Sequence, residues 1–145
     1  MIADIPTLTI VFTVSPIRHV RDGLHDNQLS KATLLLAIDQ LQHAFPECVF
    51  YFPAYELLMD ELRDYRFYAD DLVHPSAKAV EMVWQRFVQT CMNEATQQLM
   101  KQCNDLAQAL AHRPLQPQSE ANCRFLQQIM LKIAELSEKY PYLDF

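Results

Sequence analysis

Two short segments of the chain have the residue pattern of buried β-strands. Residues 7–14 and 48–52 are rich in β-branched and aromatic side chains, and they alternate only weakly between apolar and polar positions. Strands with this pattern are typical of parallel sheets, in which both faces are covered. We therefore predict two strands of that kind.

The segments between and after the strands carry apolar residues spaced by threes and fours, which predicts amphipathic helices. The predicted helices are residues 31–44 (capped by Ser30), 54–64, 77–112 (capped by Ser76) and a last helix that starts after Ser119. Residues 113–117 contain two prolines and separate the last two helices, which we expect to form an antiparallel hairpin. Residues 15–28 and 65–75 predict loops.

Strand, helix and strand in this order predict a βαβ unit with parallel strands. A sheet of two apolar strands lacks its usual neighbours and cover, so a larger domain or another copy of the chain must supply them. We expect residues 1–76 to form the βαβ core and residues 77–145 to form a helical hairpin packed on it, within one domain. The fold class is a predominantly helical α/β fold.

Composition narrows the class of partner. The chain has 145 residues, half of them hydrophobic, and a net charge of −6. This acidic balance argues against binding to nucleic acid or to an anionic membrane. The sequence has no run of about 18 apolar residues, which is the length that a membrane-spanning helix needs. Residues 1–6 have no basic start and no apolar stretch, so they do not predict a signal peptide.

The numbers of glycines and cysteines exclude several kinds of binding site. The chain has one glycine, Gly23, which excludes the glycine-rich loops that bind phosphate groups or dinucleotides. Its four cysteines are scattered with no CxxC pair, so we expect reduced thiols and a cytoplasmic location. We expect no cofactor and no bound metal. Asp70, Asp71 and His74 supply at most two or three ligands, and no other residue marks a further one.

Asp71 and His74 are the main candidates for catalysis. A carboxylate three residues before a histidine can fix the imidazole tautomer, which leaves the other ring nitrogen free as a general base towards a hydroxyl nucleophile. Asp22 and His25 have the same spacing, but only Asp71 and His74 follow the second strand and precede a capped helix. The alternative is that Asp71 helps to cap that helix and His74 is a structural loop residue.

The segment after the first strand is the second candidate. Ligands of open parallel sheets bind at the carboxyl ends of the strands, where Ser15, Arg18 and His19 lie. Arg18 and His19 can contact an anionic or carbonyl group of a substrate, and the alternative is a loop held by salt bridges. No G-x-S-x-G turn surrounds Ser15, which argues against it as a nucleophile.

The segment 63–68 (RDYRFY) contains both aromatic and charged side chains. Alternating Tyr and Arg can stack on a base or a sugar, but the acidic chain makes nucleic acid an unfavourable partner. We therefore expect buried ion pairs and Arg–Tyr stacking that fix the loop.

Five blocks of sequence occur in a distinctive order. They are residues 12–19 (FTVSPIRH), 27–31 (NQLSK), 51–56 (YFPAYE), 60–68 (DELRDYRFY) and 71–76 (DLVHPS). Together they resemble the GSCFA family, which is named for a Gly-Ser-Cys-Phe-Ala signature and is similar to the SGNH (GDSL-like) hydrolases. The resemblance covers residues 7–90 and continues towards the end of the chain.

The resemblance implies a three-layer α/β/α, flavodoxin-like fold and a serine ester or acyl hydrolase. It implies that Asp71 is the orienting acid and His74 the general base. The chain departs from the family in lacking the Gly-Ser-Cys-Phe-Ala signature, which its single glycine precludes. We therefore expect a C-terminal portion of the domain, without the serine nucleophile and the oxyanion donors, and inactive alone.

A second hypothesis is a non-catalytic module. In it, the apolar strands find cover in a homo-oligomer, or in the missing N-terminal half of the domain or another partner chain, and the Asp–His pair is structural. Self-association is compatible with both hypotheses, since a truncated sheet leaves apolar surface to bury.

Overall fold

The computed structural model describes residue 5, residues 7–114 and residues 118–144. The elements are β1 (Ile10–Phe12), a 3-10 turn (Val20–Asp22), α1 (Gly23–Ala44), β2 (Val49–Tyr51), α2 (Ala54–Glu56) continued by a π-helical turn (Leu57–Glu61), a second 3-10 turn (Tyr65–Phe67), α3 (Ala77–Cys91), α4 (Glu94–Ala111) and α5 (Glu120–Lys139). This is a predominantly helical α/β fold, as predicted. Most of residues 1–6, and residues 115–117 of the predicted break, lie outside the described residues.

The two strands are parallel and pair in register, with Ile10 opposite Val49 and Val11 opposite Phe50. Helix α1 packs against β2, and Val49 is buried. On the opposite face, Phe52 follows β2 and contacts Phe87 of α3 edge-to-face, with ring centroids 5.1 Å apart. The sheet therefore has a helix on each side, which is the partial three-layer arrangement.

The strands are not buried on both faces, which corrects the prediction. Val11 is 41% exposed and its partner Phe50 is 46% exposed. Phe87 of α3 covers Phe52, at the carboxyl end of this face. The cross-strand pair Val11 and Phe50, nearer the amino end, stays exposed. Part of this face of the sheet is therefore uncovered within the described residues.

Helix α1 begins at Gly23, earlier than the predicted start after Ser30. Gly23 has a φ of 84°, a conformation that glycine adopts without a steric penalty. The amino-terminal part of α1 carries the buried polar residues Asn27 and Lys31 instead of an apolar stripe. The apolar pattern alone could not reveal this part of the helix.

The predicted helix over 77–112 is wrong, because the chain forms two helices there. Asn93 is extended, and its side-chain oxygen accepts a hydrogen bond from the Thr96 N–H at 2.8 Å, which caps α4. The chain divides into two compact units at this point, Met1–Cys91 and Met92–Phe145. Helix α3 therefore belongs to the first unit and not to the C-terminal hairpin.

The second unit is a pair of packed helices. Leu106 of α4 and Ile129 of α5 are buried, and His112 meets Phe125 with ring centroids 6.2 Å apart. The Ser119 side chain accepts a hydrogen bond from the Asn122 N–H at 3.2 Å, so the predicted cap of α5 is confirmed. Across the described helices, none has both the length and the apolar character that a bilayer crossing requires.

Candidate functional site

Residues 65–76 form a closed loop between the π-helical turn and α3. Tyr68 pairs with Pro75 as an antiparallel bridge, and the Ala69 N–H donates to the His74 carbonyl at 2.8 Å. At the base of the loop, the Ser76 N–H donates to the Phe67 carbonyl at 2.8 Å. The loop rests on a small core of Leu58, Leu62, Phe67, Tyr68 and Ala79. The tip of the loop, Asp71 to His74, is thus held at a fixed place in the first unit.

Asp71 and His74 are in direct contact at this tip. Asp71 Oδ2 lies 2.6 Å from His74 Nδ1, and Asp71 Oδ1 accepts the backbone N–H groups of Val73 (2.9 Å) and His74 (3.0 Å). Both carboxylate oxygens are therefore engaged. The predicted pairing of the two residues is present in the structure.

Hydrogen bonding fixes the protonation of the pair. The backbone N–H of His74, its imidazole and the Val73 N–H lower the pKa of Asp71 from 3.8 to about 2. The carboxylate is ionised at neutral pH and can only accept hydrogen bonds, so His74 Nδ1 must be the donor. When the ring is neutral, the Nε2 atom then carries the lone pair, which is the state that a general base requires.

The backbone between the two residues is unusual. Leu72 has a φ of 57°, the left-handed region that non-glycine residues seldom adopt. Such a conformation persists where surrounding contacts over-determine it. The Leu72 N–H donates to the Ala69 carbonyl at 2.9 Å, and the Leu72 carbonyl accepts from Arg18 Nη1 at 2.9 Å.

Arg18 links the segment after β1 to this loop. Its guanidinium donates to Leu72 and lies over the Tyr68 ring, 4.4 Å from the ring centroid. The Ser15 hydroxyl accepts the Ile17 N–H at 3.3 Å, and the His19 N–H donates to Asn27 Oδ1 at 2.9 Å. Among the contacts of the described residues, the side chains of Ser15 and His19 reach neither Asp71 nor His74.

Two residues of the block 27–31, to which the sequence analysis assigned no role, hold the Ser15–His19 segment in place. Buried Lys31 donates from Nζ to the Ser15 carbonyl at 2.6 Å, and buried Asn27 accepts from His19. Burial lowers the pKa of Lys31. Asn27 and Lys31 are spaced by four, which is one helical turn, and this spacing is the signal in the sequence that could have identified them.

An apolar groove of about 390 Å³ lies beside the loop. Its walls come from β1 and the residues after it, from α3, and from Pro75, the neighbour of His74; they include Val11, Ser15, Pro75, Val80, Trp84 and Phe87. None of the groove-lining side chains in the described part of the chain is charged. It is suited to apolar groups, either of a ligand or of another polypeptide.

The prediction for the segment 63–68 is wrong in its details, because the ion pair there is exposed and no arginine of this fully described segment stacks on a tyrosine. The Arg66 guanidinium lies over the ring of buried Phe67, and its Nε atom is 3.7 Å from Asp64 Oδ1 in an exposed ion pair. The arginine stacked on Tyr68 is Arg18, which lies outside this segment. Among the described residues, no three His, Cys, Asp or Glu side chains converge as possible metal ligands. The four cysteines form no disulfide.

Comparison with known proteins gives the family. No curated protein and no solved structure matches the chain. Residues 1–87 match the model of the GSCFA family, and residues 103–145 match that of the GSCFA C-terminal domain. The first match covers more than half of the chain and contains the whole Asp71–His74 loop. The chain therefore belongs to the GSCFA family.

Proposed function

We propose that Asp71 and His74 are the orienting acid and the general base of a serine hydrolase site that acts on esters or acyl groups. The observation that carries this proposal is the 2.6 Å contact between Asp71 Oδ2 and His74 Nδ1, which leaves Nε2 as the basic atom. The GSCFA assignment supports it through the resemblance of the family to SGNH hydrolases. The apolar groove beside Pro75 is compatible with an acyl group.

The proposed chemistry is proton transfer at Nε2. As a serine oxygen attacks the substrate carbonyl carbon, Nε2 of His74 takes the hydroxyl proton, and the Asp71 carboxylate stabilises the imidazolium that forms. Nε2 then returns this proton to the departing alkoxide oxygen as the acyl–oxygen bond breaks. Water repeats the sequence and releases the acyl group from the serine.

We propose that the serine and the oxyanion donors belong to another polypeptide segment. The chain contains no Gly-Ser-Cys-Phe-Ala, and its single glycine stands at the start of α1. Ser15, the serine after β1, makes a local hydrogen bond to the Ile17 N–H. Each missing oxyanion donor lowers the rate by about 10²–10³, so the chain alone should not turn over esters.

Ester hydrolysis tests this proposal. The purified chain should hydrolyse p-nitrophenyl acetate no faster than its His74→Ala variant. Addition of a polypeptide that carries the Gly-Ser-Cys-Phe-Ala segment should produce turnover that depends on His74 and falls strongly in Asp71→Asn. Turnover by the chain alone that disappears in His74→Ala would contradict the missing nucleophile. Turnover of the mixture that survives in His74→Ala would contradict the role of His74.

A matched control exists on α1. His43 and Asp39 form a second exposed His–Asp contact, with 3.6 Å between Nδ1 and Oδ2. His43→Ala should leave the activity of the mixture unchanged, because surface imidazoles contribute only a general background. An equal loss in His43→Ala and His74→Ala would show that the activity is not specific to the loop.

A second function, a self-associating module, is supported by the uncovered face of the sheet. Val11 and Phe50 are cross-strand neighbours that stay exposed, and Trp84 beside the groove is 46% exposed. Adjacent apolar residues of this kind are typical of surfaces that another chain covers. Val11 and Trp84 also line the groove beside Pro75, so a partner chain on this face would occupy the space that the first proposal assigns to an acyl group.

A further inference from the structure

We propose that Arg18 is a positioning residue for the Asp71–His74 pair. The inference rests on the proposed function, since it concerns how that pair is held. Arg18 would touch neither substrate nor nucleophile. It would act through the backbone turn between Asp71 and His74, and a separate part of the chain would thereby control the geometry of the base.

Arg18 contacts the loop at three points, two of them through its side chain and the third through its backbone N–H, which donates to the Val73 carbonyl at 3.4 Å. The Nη1 atom of Arg18 donates to the Leu72 carbonyl at 2.9 Å, across 54 residues of sequence, and its guanidinium carbon lies 4.4 Å from the centroid of the Tyr68 ring. Tyr68 is buried, and its backbone is bridged to Pro75, the residue after His74. The tip and the base of the loop are therefore tied to one side chain.

Arg18 contacts Leu72, whose backbone has the unfavourable positive φ. Leu72 occupies the left-handed region, and rotation out of it would redirect the N–H groups of Val73 and His74. Those two N–H groups hold Asp71 Oδ1 and thereby aim Oδ2 at the imidazole. By holding the Leu72 carbonyl, Arg18 opposes this rotation.

Helix α1 holds the segment that carries Arg18 in place. The segment that carries it is tied to α1 on both sides, through the Lys31–Ser15 hydrogen bond of 2.6 Å and the Asn27–His19 hydrogen bond of 2.9 Å. Lys31 is 2% exposed and Asn27 is 5% exposed, so the α1 side of each bond is buried, whereas Ser15 and His19 lie at the surface. The buried polar face of α1 thus serves as the fixed base from which Arg18 reaches the loop.

The two side-chain contacts require a planar and extended cation. A guanidinium can stack on a ring while its N–H groups donate in the plane, which an ammonium or a shorter amide cannot do at the same time. The role proposed here therefore depends on the shape of arginine and not only on its charge.

The tautomer of His74 reports the proposed role directly. Nitrogen-15 spectra of histidine-labelled chain at alkaline pH, where imidazole is neutral, distinguish the Nδ1–H from the Nε2–H form, and His74→Ala assigns the signal. The wild type should show His74 mainly as Nδ1–H. Arg18→Met should lose this preference and approach the Nε2–H form that free imidazole favours. Arg21→Met, at an exposed arginine on the neighbouring turn, should leave it unchanged.

The outcomes separate the two proposals. A wild-type His74 that is mainly Nε2–H would overturn the proposed function itself. Wild-type Nδ1–H that persists in a folded Arg18→Met variant would overturn only the positioning role. If circular dichroism shows that Arg18→Met does not fold, Arg18→Gln provides the measurement, with the same expected loss and the same contradicting result. A general loss of stability in a chain that stays folded does not change the tautomer.

Discussion

The two carboxylate oxygens of Asp71 bind different groups, one the backbone and the other the imidazole of His74. This arrangement holds the Asp71–His74 pair together. Oδ1 accepts two backbone N–H groups, while Oδ2 is left for Nδ1 of His74. The spacing of three residues predicted the contact, because it brings a carboxylate and an imidazole within reach on one turn. The sequence did not predict the left-handed backbone of Leu72, since leucine carries no signal for that conformation.

The first prediction concerns the titration of Asp71. Its side-chain carboxyl carbon should titrate near pH 2 in nuclear magnetic resonance spectra, because the folded pKa is about 2 against 3.8 ordinarily. A depressed folded pKa means that the carboxylate stabilises the loop above about pH 4 and that this contribution is lost as the pH falls through the folded pKa. His74→Ala should raise the pKa of Asp71 only part of the way, since the backbone N–H groups remain. A wild-type titration at 3.8 would contradict the hydrogen bonding described.

The second prediction concerns Leu72. Leu72→Gly should leave the free energy of unfolding in urea unchanged or raise it by up to about 1 kcal/mol, since glycine adopts positive φ without the steric cost of about 1–2 kcal/mol. Leu72→Ile should lower it by about 1 kcal/mol, because a β-branched side chain is less compatible with this backbone. The Leu72 side chain is 48% exposed, so lost packing is a minor effect. Equal stabilities of the Gly and Ile variants would show that the left-handed conformation costs nothing.

At the scale of elements, apolar periodicity located the helices but not their ends. The stripe Val88, Cys91, Ala95 and Leu99 continues by threes and fours across a break that the structure places at Asn93. The Asn93 side chain accepts the Thr96 N–H, and this bond caps a new helix in place of continuing α3. Helix α1 shows the converse case, because its first turns are anchored by buried polar residues, which an apolar pattern cannot detect.

The third prediction tests the break. Asn93→Ala should lower the free energy of unfolding by about 1 kcal/mol, since the Thr96 N–H loses its acceptor at the start of α4. Asn93→Asp should retain most of the stability, because aspartate caps equally well. Urea unfolding followed by circular dichroism measures both variants. A more helical and equally stable Asn93→Ala variant would indicate one continuous helix and would contradict the observed cap.

At the scale of the molecule, the two-stranded sheet is compatible with our proposal that another polypeptide segment completes the catalytic site. Within the described residues, β1 pairs with β2 alone, and one face of the pair is covered only near Phe52. The sequence predicted this shortage of strands from the apolar character of the two segments. It could not predict which face stays open, because that depends on where α3 ends and how it packs.

The last prediction concerns this open face. We expect the purified chain to self-associate, and Val11→Lys to shift it towards monomer in light scattering, because a charge on the exposed strand face disfavours burial against another chain. Val20→Lys is the matched control. Val20 is 56% exposed on the 3-10 turn, and the substitution makes the same change in net charge. Circular dichroism confirms that both variants keep the fold. A strictly monomeric wild type, or equal effects of the two substitutions, would mean that the face of Val11 and Phe50 is not the contact surface.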